Sequence, residues 1–109
     1  MAEAYKNAYQ DVTSSNTAIY TNSSGGASVV YSLRITNINT SNDTITADVI
    51  DGTSGNARIA FQMTVPVGGS IELLGNSRVN LENGDKIELT GGQASGYLEA
   101  ILSCVEITT

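Results

Sequence analysis

The sequence predicts an all-β domain, an antiparallel β-sandwich or jelly-roll-like fold with an extended N-terminal arm. Three observations support this fold class. Charged residues make up only 15% of the 109 residues, and Ser, Thr, Asn and Gly dominate the polar remainder, as in strands and turns. Several segments alternate apolar and polar residues with a period of two. Turn signals separate these segments about every ten residues, which is typical of a sandwich.

The first element is a polar segment, residues 1–16, in which Tyr5 and Tyr9 are the large apolar groups. Their spacing of four fits one face of a helical turn, but no capping residue or sustained helical pattern accompanies it. We therefore predict an extended arm with two aromatic anchors. The β-domain proper is predicted over 17–109 and begins with a short strand at 17–21.

The next three elements are the most regular strands of the chain. They cover 27–37 (ASVVYSLRITN), 43–51 (DTITADVID) and 56–65 (NARIAFQMTV). Alternation predicts that each buries one face. The expected inward residues are Val29, Tyr31, Leu33 and Ile35, then Ile45, Ala47 and Val49, then Ala57, Ile59, Phe61, Met63 and Val65. Asn, Asp, Ser and Gly clusters at 37–43 and 51–56 have hairpin length, so we expect a three-stranded meander.

Pro66 ends the third of these strands, because proline cannot donate to a sheet ladder. Short strands are then expected at 70–74 and 78–81. Asn83-Gly84 fits a tight turn with positive φ at both central residues, and leads to a strand in which Ile87 and Leu89 alternate with polar groups.

The closing segment GYLEAILSCVEIT, residues 96–108, is apolar on both faces when read as a strand. Leu98, Ala100, Leu102 and Cys104 share one face. Tyr97 shares the other with three residues that we predict to mediate self-association, namely Ile101, Val105 and Ile107. A bulge that switches faces, the folded-back arm or another chain would each explain this pattern. We favour another chain, with the arm contributing.

Composition excludes several functions. Five Lys and Arg against eleven Asp and Glu give a net charge of −6, which disfavours binding to nucleic acid, and no apolar run reaches the length of a membrane span. The chain has no histidine and one cysteine, Cys104, which we expect to be a buried hydrophobe. We therefore expect no enzyme, no catalytic residue, no cofactor and no metal, although a calcium site near Asp48 and Asp51, or among Glu82, Asp85 and Glu88, stays conceivable.

Short motifs across nearly the whole chain resemble a diffuse family of small virion structural proteins of tailed bacteriophages. They are YKNAYQ, then Ala18 to Thr21, then VVYSLRITN, VPVGGSIEL, Gly84-Asp85 and the terminal VEIT. In that family a β-sandwich of this size decorates or cements the capsid, or sits on the neck and tail. The family brings no catalytic residues.

The resemblance implies a decoration or cement protein on the outer capsid surface. Its partner would be the major capsid protein, and it would itself form a homo-oligomer, expected to be a trimer, that joins neighbouring capsomers. The shell contacts we expect are Tyr5, Lys6, Tyr9 and Tyr20. Alternatives are a neck, tail or fibre-associated module of the same family and, from another class, a carbohydrate-binding adhesion module.

Overall fold

A computed structural model describes residues 2–51, 55–94 and 97–108. These residues form nine strands and two antiparallel sheets packed as a sandwich, which confirms the all-β prediction. None of the described residues forms a helix that could span a membrane. The strands are β1 (Ala2–Val12), β2 (Thr17–Thr21), β3 (Ala27–Asn37), β4 (Asp43–Asp51), β5 (Gly55–Val65), β6 (Ser70–Glu72), β7 (Val79–Leu81), β8 (Lys86–Gly91) and β9 (Leu98–Thr108).

The two sheets divide the strands almost evenly. The first sheet has the order β1-β9-β3-β6, and β7 pairs with β3 beside β6. The second has the order β2-β8-β4-β5. Apolar side chains from both sheets fill the space between them, as expected for a sandwich. The largest of the fully buried ones are Leu33, Ile35, Ile45, Leu81, Ile87, Leu89, Leu98 and Leu102.

The predicted meander is wrong. β3 and β4 follow one another in the chain but belong to different sheets, so the turn between them crosses the sandwich. β4 and β5 do pair, although 52–54, within the predicted hairpin turn, lie outside the described residues. The Asn83-Gly84 turn also crosses between sheets, because β7 pairs with β3 and β8 with β2 and β4. Only Gly84 there has a positive φ, of 96°.

A β-bulge changes which residues of β3 point inward. The register against β9 shifts between Val30 and Ser32, so Ser28 and Val30 are buried before the bulge and Leu33 and Ile35 after it. Tyr31, predicted to be inward, is 43% exposed. An extra residue in one strand inverts the alternation beyond it, which is the physical reason for the wrong face.

The same effect operates in β5. Two register shifts interrupt its pairing with β4, and Gln62 adopts a positive φ of 47°. Phe61 and Met63 are therefore largely exposed, although alternation predicted both to be inward. Pro66 follows the last residue of β5, as predicted.

The N-terminal segment is extended, as predicted, and it is also part of the sheet. β1 pairs with β9 along its whole length, from Ala2 opposite Thr108 to Val12 opposite Leu98. β9 therefore has β1 on one side and β3 on the other, and its backbone groups are satisfied on both edges. The chain itself thus supplies both sheet neighbours of the closing strand.

Two buried asparagines hold the turns that cross between the sheets. Asn37 is 1% exposed; its Nδ2 donates to the carbonyl oxygens of Ser41 (3.0 Å) and Val65 (2.9 Å), and its Oδ1 accepts from the backbone N–H of Asn39. Asn22 is equally buried and donates to the carbonyl oxygens of Gly26 and Leu81. Each side chain supplies the partners that buried turn carbonyls need.

We expect Asn37→Ala to lower the free energy of unfolding by about 2 to 3 kcal/mol, because the carbonyl of Val65 is then buried without a donor. Urea unfolding followed by circular dichroism measures this loss. Asn76→Ala is the control at an exposed turn position and should cost no more than about 0.5 kcal/mol. Equal losses for the two variants would contradict the role of Asn37.

Candidate assembly surface

The outer face of β1 and β9 carries most of the residues that the sequence marked for contacts. Antiparallel register places Tyr5 directly opposite Val105 and Tyr9 directly opposite Ile101, so these four side chains share one face of the sheet. Ile107 lies on the same face, opposite Glu3. We call the five apolar residues Tyr5, Tyr9, Ile101, Val105 and Ile107 the tyrosine face.

The aromatic rings of the tyrosine face project into solvent. Tyr5 is 73% exposed and Tyr9 69%, the two highest values among the exposed large apolar residues of the described chain. Ile101, Val105 and Ile107 are half-buried at the level of the sheet. Between the two tyrosines, Ser103 donates a hydrogen bond from its hydroxyl to Asn7 Oδ1 at 2.7 Å. This bond ties the two strands together at the centre of the face.

The face continues onto β3. Val29 lies opposite Val105 and Ala27 opposite Ile107, so small apolar groups extend the surface toward the middle of the sheet. The residues predicted separately for shell contact and for self-association are thus partly neighbours, because Tyr5 and Tyr9 lie beside Val105 and Ile101. The tyrosine face therefore combines residues from both predicted groups.

Lys6 and Tyr20, the other two predicted shell contacts, lie elsewhere. Lys6 points to the opposite face of β1 from Tyr5, as the period of two requires, and its Nζ lies 3.1 Å from Glu106 Oε1. The Tyr20 hydroxyl donates to Glu106 Oε2 at 2.5 Å, and also lies 3.0 Å from the Ser28 hydroxyl. Lys6, Tyr20 and Glu106 form a polar clamp that joins β1, β2 and β9.

Hydrogen bonds and burial together set the protonation states of Glu106 and Tyr20 in the clamp. The bond from Tyr20, followed by the bond and charge of Lys6, lowers the pKa of Glu106 against the opposing effect of burial. Burial first, and then the bond to Glu106, raises the pKa of the Tyr20 hydroxyl. The clamp therefore holds a carboxylate and a neutral phenol, and it connects the two sheets through β2 and β9.

A second polar network lies at the bulge in β3. The Glu72 carboxylate accepts from the Ser32 hydroxyl at 2.6 Å and from the backbone N–H groups of Leu33 (2.7 Å) and Leu74 (3.2 Å). Burial alone would raise the pKa of Glu72, but these bonds and the charge of Arg34 lower it. Glu72 replaces the ladder partner that β3 lacks between β6 and β7, so its role is structural.

Acidic residues from two turns come together at another point. Carboxylate oxygens of Asp51, Glu82 and Asp85 lie within 4.8 Å of one another. The sequence placed Asp51 in a different group from the other two, and the pairing of β4 with β8, with Ile50 opposite Lys86, brings them together. Asp85 Oδ2 is already engaged, since it accepts from the backbone N–H of Glu82 at 3.0 Å. We assign no metal to this cluster.

Cys104 is fully buried on the inner face of β9, as predicted. Its neighbours in the core are apolar side chains such as Val30, which lies opposite it on β3. The thiol is a packing group in this position.

Comparison with known proteins identifies the fold alone. No family model matches the chain, and no curated protein matches its sequence. A solved structure from work describing Bacillus endospore appendages as a novel family of disulfide-linked pili aligns over 99% of this chain and 88% of its own, with a TM-score of 0.58 and 14% identity. At this identity the likeness concerns the β-sandwich architecture, which this chain shares with a pilus protein over nearly its whole length.

The clamp should make stability depend on pH in the acid range. Because the folded-state pKa of Glu106 lies below its ordinary value of 4.5, its contribution is complete above that value and is lost as pH falls through the folded-state pKa. We expect Glu106→Gln to destabilise the protein at pH 7, and the gap to wild type to narrow toward pH 2. Thermal unfolding across this range measures the gap. Glu3→Gln, at an exposed position, is the control; a gap at Glu106 that stays constant with pH would refute the linkage.

Proposed function

We propose that this chain is a non-enzymatic structural subunit of a repeating protein assembly, and that the tyrosine face is one of its contact surfaces. The observation that carries the proposal is the pair of exposed rings, Tyr5 and Tyr9, held in register beside Val105 and Ile101. Tyrosine is enriched at protein interfaces, where its ring packs and its hydroxyl bonds. A firmly paired strand presents the rings at fixed positions, which lowers the entropic cost of binding.

The sequence resemblance implies that this assembly is the shell of a tailed bacteriophage. The chain would then be a decoration or cement protein on the outer surface, bound to the major capsid protein and associated with copies of itself, with a trimer as the expected form. Binding to the assembled shell alone would stabilise it by mass action. The net charge of −6 suits a position away from packaged DNA.

A surface appendage is the second candidate. The observation that favours it is the fold likeness to a pilus protein over 99% of this chain. Disulfide linkage, which is described for those pili, would not apply, because the single cysteine of this chain is buried in the core. Such an appendage would be held together by noncovalent contacts.

Purified protein distinguishes the two assemblies. Electron microscopy of concentrated protein should show filaments if the chain is an appendage subunit, and small closed oligomers if it is a capsid decoration protein. In the second case, particles that lack the protein should break at lower temperature and lower salt than intact particles. Equal survival of stripped and intact particles would rule out a cementing role.

The double variant Tyr5→Ser, Tyr9→Ser should lose assembly, whichever assembly forms. Because the rings contribute little to the core, we expect unchanged folding and association weakened by about tenfold or more, as for the loss of interface hot spots. Sedimentation velocity measures self-association, and co-sedimentation measures binding to particles. Val67→Ser is the control, since this apolar residue is 49% exposed in the turn after β5 and lies outside the tyrosine face. The surface is misassigned if the control is equally impaired, or if the double variant assembles normally.

A further inference from the structure

One end of the tyrosine face is a groove that carries two carboxylates. The groove has a volume of about 260 Å³, and Tyr9, Asp11, Thr36, Glu99 and Ile101 contribute to its walls. Asp11 lies directly opposite Glu99 across the β1–β9 ladder, an arrangement that costs free energy because like charges repel. Among the described residues, neither carboxylate is within ion-pairing distance of a Lys or Arg. The groove therefore favours a cationic partner.

The opposite side of the molecule carries a matching group. On β5, the Arg58 guanidinium lies 4.2 Å from the centroid of the Phe61 ring, which is 59% exposed. Arg58 Nε is 3.5 Å from Asp48 Oδ1, longer than an ordinary hydrogen bond, and 55% of its side chain stays accessible. Arg58 and Phe61 together form a cation beside an exposed aromatic ring, which we call the arginine patch.

The two surfaces cannot meet within one molecule. β1 is the edge strand of the first sheet and packs over β2, whereas β5 is the edge strand of the second sheet and packs near β3. The groove and the arginine patch therefore lie near diagonally opposite edges of the sandwich. A contact between them requires two copies.

We infer that the groove of one copy binds the arginine patch of the next, so that the subunits associate head to tail. This inference deepens the proposed function, on which it rests. Arg58 would reach the carboxylates of Asp11 and Glu99, and Phe61 would pack against Tyr9. An interface between two different patches leaves a free groove at one end and a free patch at the other, so association continues into a ring or an open array.

The charges of the chain favour this occupant over others. Of its five cations, Lys6 and Lys86 are engaged in internal ion pairs at 3.1 Å, and Arg34, which lies opposite Ile101, is attracted to Glu72. Arg78 is exposed, and among the described residues Arg58 is the cation that lies over an exposed aromatic ring. On a chain with a net charge of −6, most other surfaces of a second copy would be repelled by the groove.

Charge reversal tests the inference. We expect wild-type protein to gain mass with concentration in sedimentation velocity, and Arg58→Glu or Glu99→Arg to weaken this association by about tenfold each. The double variant, with both charges reversed, should recover most of it. Arg78→Glu is the matched control, since it makes the same change at an exposed position outside both surfaces, and should associate almost as wild type does. Thermal unfolding verifies folding, and Arg58→Gln replaces Arg58→Glu if the latter is unstable.

Mixing the two single variants tests whether the contact joins two different surfaces, the groove of one copy and the arginine patch of another. The Arg58→Glu variant keeps an intact groove and the Glu99→Arg variant keeps an intact patch, so an equal mixture should associate although neither variant does so alone. No gain on mixing, no recovery in the double variant, or equal loss in Arg78→Glu would each overturn the inference. If wild type associates and the Tyr5, Tyr9 variant alone is impaired, this inference fails and the proposed function stands. A wild type that stays monomeric and binds no particle overturns both.

Discussion

The pairing of β1 with β9 is the interaction on which the rest of the surface depends. It runs over all eleven residues of β1 and makes β9 an interior strand of its sheet. Without β1, one edge of β9 would expose a row of unpaired backbone donors and acceptors. With it, the tyrosines of β1 are held beside the apolar outer residues of β9. The pairing of β1 with β9 therefore both completes the first sheet and forms the tyrosine face.

The two-sided apolar pattern of the closing strand has a physical explanation in this arrangement. Its inner residues, such as Leu102, are fully buried in the core, and its outer residues, such as Val105, are shielded in part by neighbouring strands. The sequence could not decide between the arm and another chain, because residues 1–16 are polar and carry no strand-like run of β-branched residues. Polar residues are tolerated in β1 because backbone pairing, rather than burial of side chains, holds it in the sheet.

Alternation predicted the existence and bounds of the main strands well, but it failed wherever a bulge intervened. Leu33 and Ile35 are buried as expected, whereas Tyr31 and Phe61 are exposed because the register shifts beside them. Turn composition was equally limited. The cluster at 37–43 suits a hairpin and a crossing between sheets alike, and the difference comes from Asn37, whose buried side chain bonds to the end of β5. Such long-range partners leave no local signal.

The residues of the candidate surface could be predicted from the sequence, but which of them share one face could not. Tyr5 and Lys6 are adjacent in sequence, so a contact surface along an arm would include both, but a strand sends them to opposite faces. The Tyr20 hydroxyl bonds to Glu106, which is 86 positions away in the sequence, so Tyr20 is not part of the tyrosine face. The separation of Tyr5 from Lys6 follows from the pairing of β1 with β9, and the position of Tyr20 follows from the packing of β2 against β9. The pairing of β1 with β9 also places Asp11 opposite Glu99.

The side chains of β1 reverse the usual arrangement, in which the large apolar residues of a strand face the core and its polar residues face solvent. Its inner face carries Ala4, Lys6, Ala8 and Gln10, and among the side chains of β1 that the structure describes Val12 is the fully buried apolar one, while its two aromatic rings point outward. A sequence that stabilises an isolated sandwich would place the rings inside, where burying each would be worth about 1.5 to 3 kcal/mol. The outward rings contribute that free energy only when another surface covers them. This inversion is the reason why we propose an assembly subunit, rather than a free-standing domain.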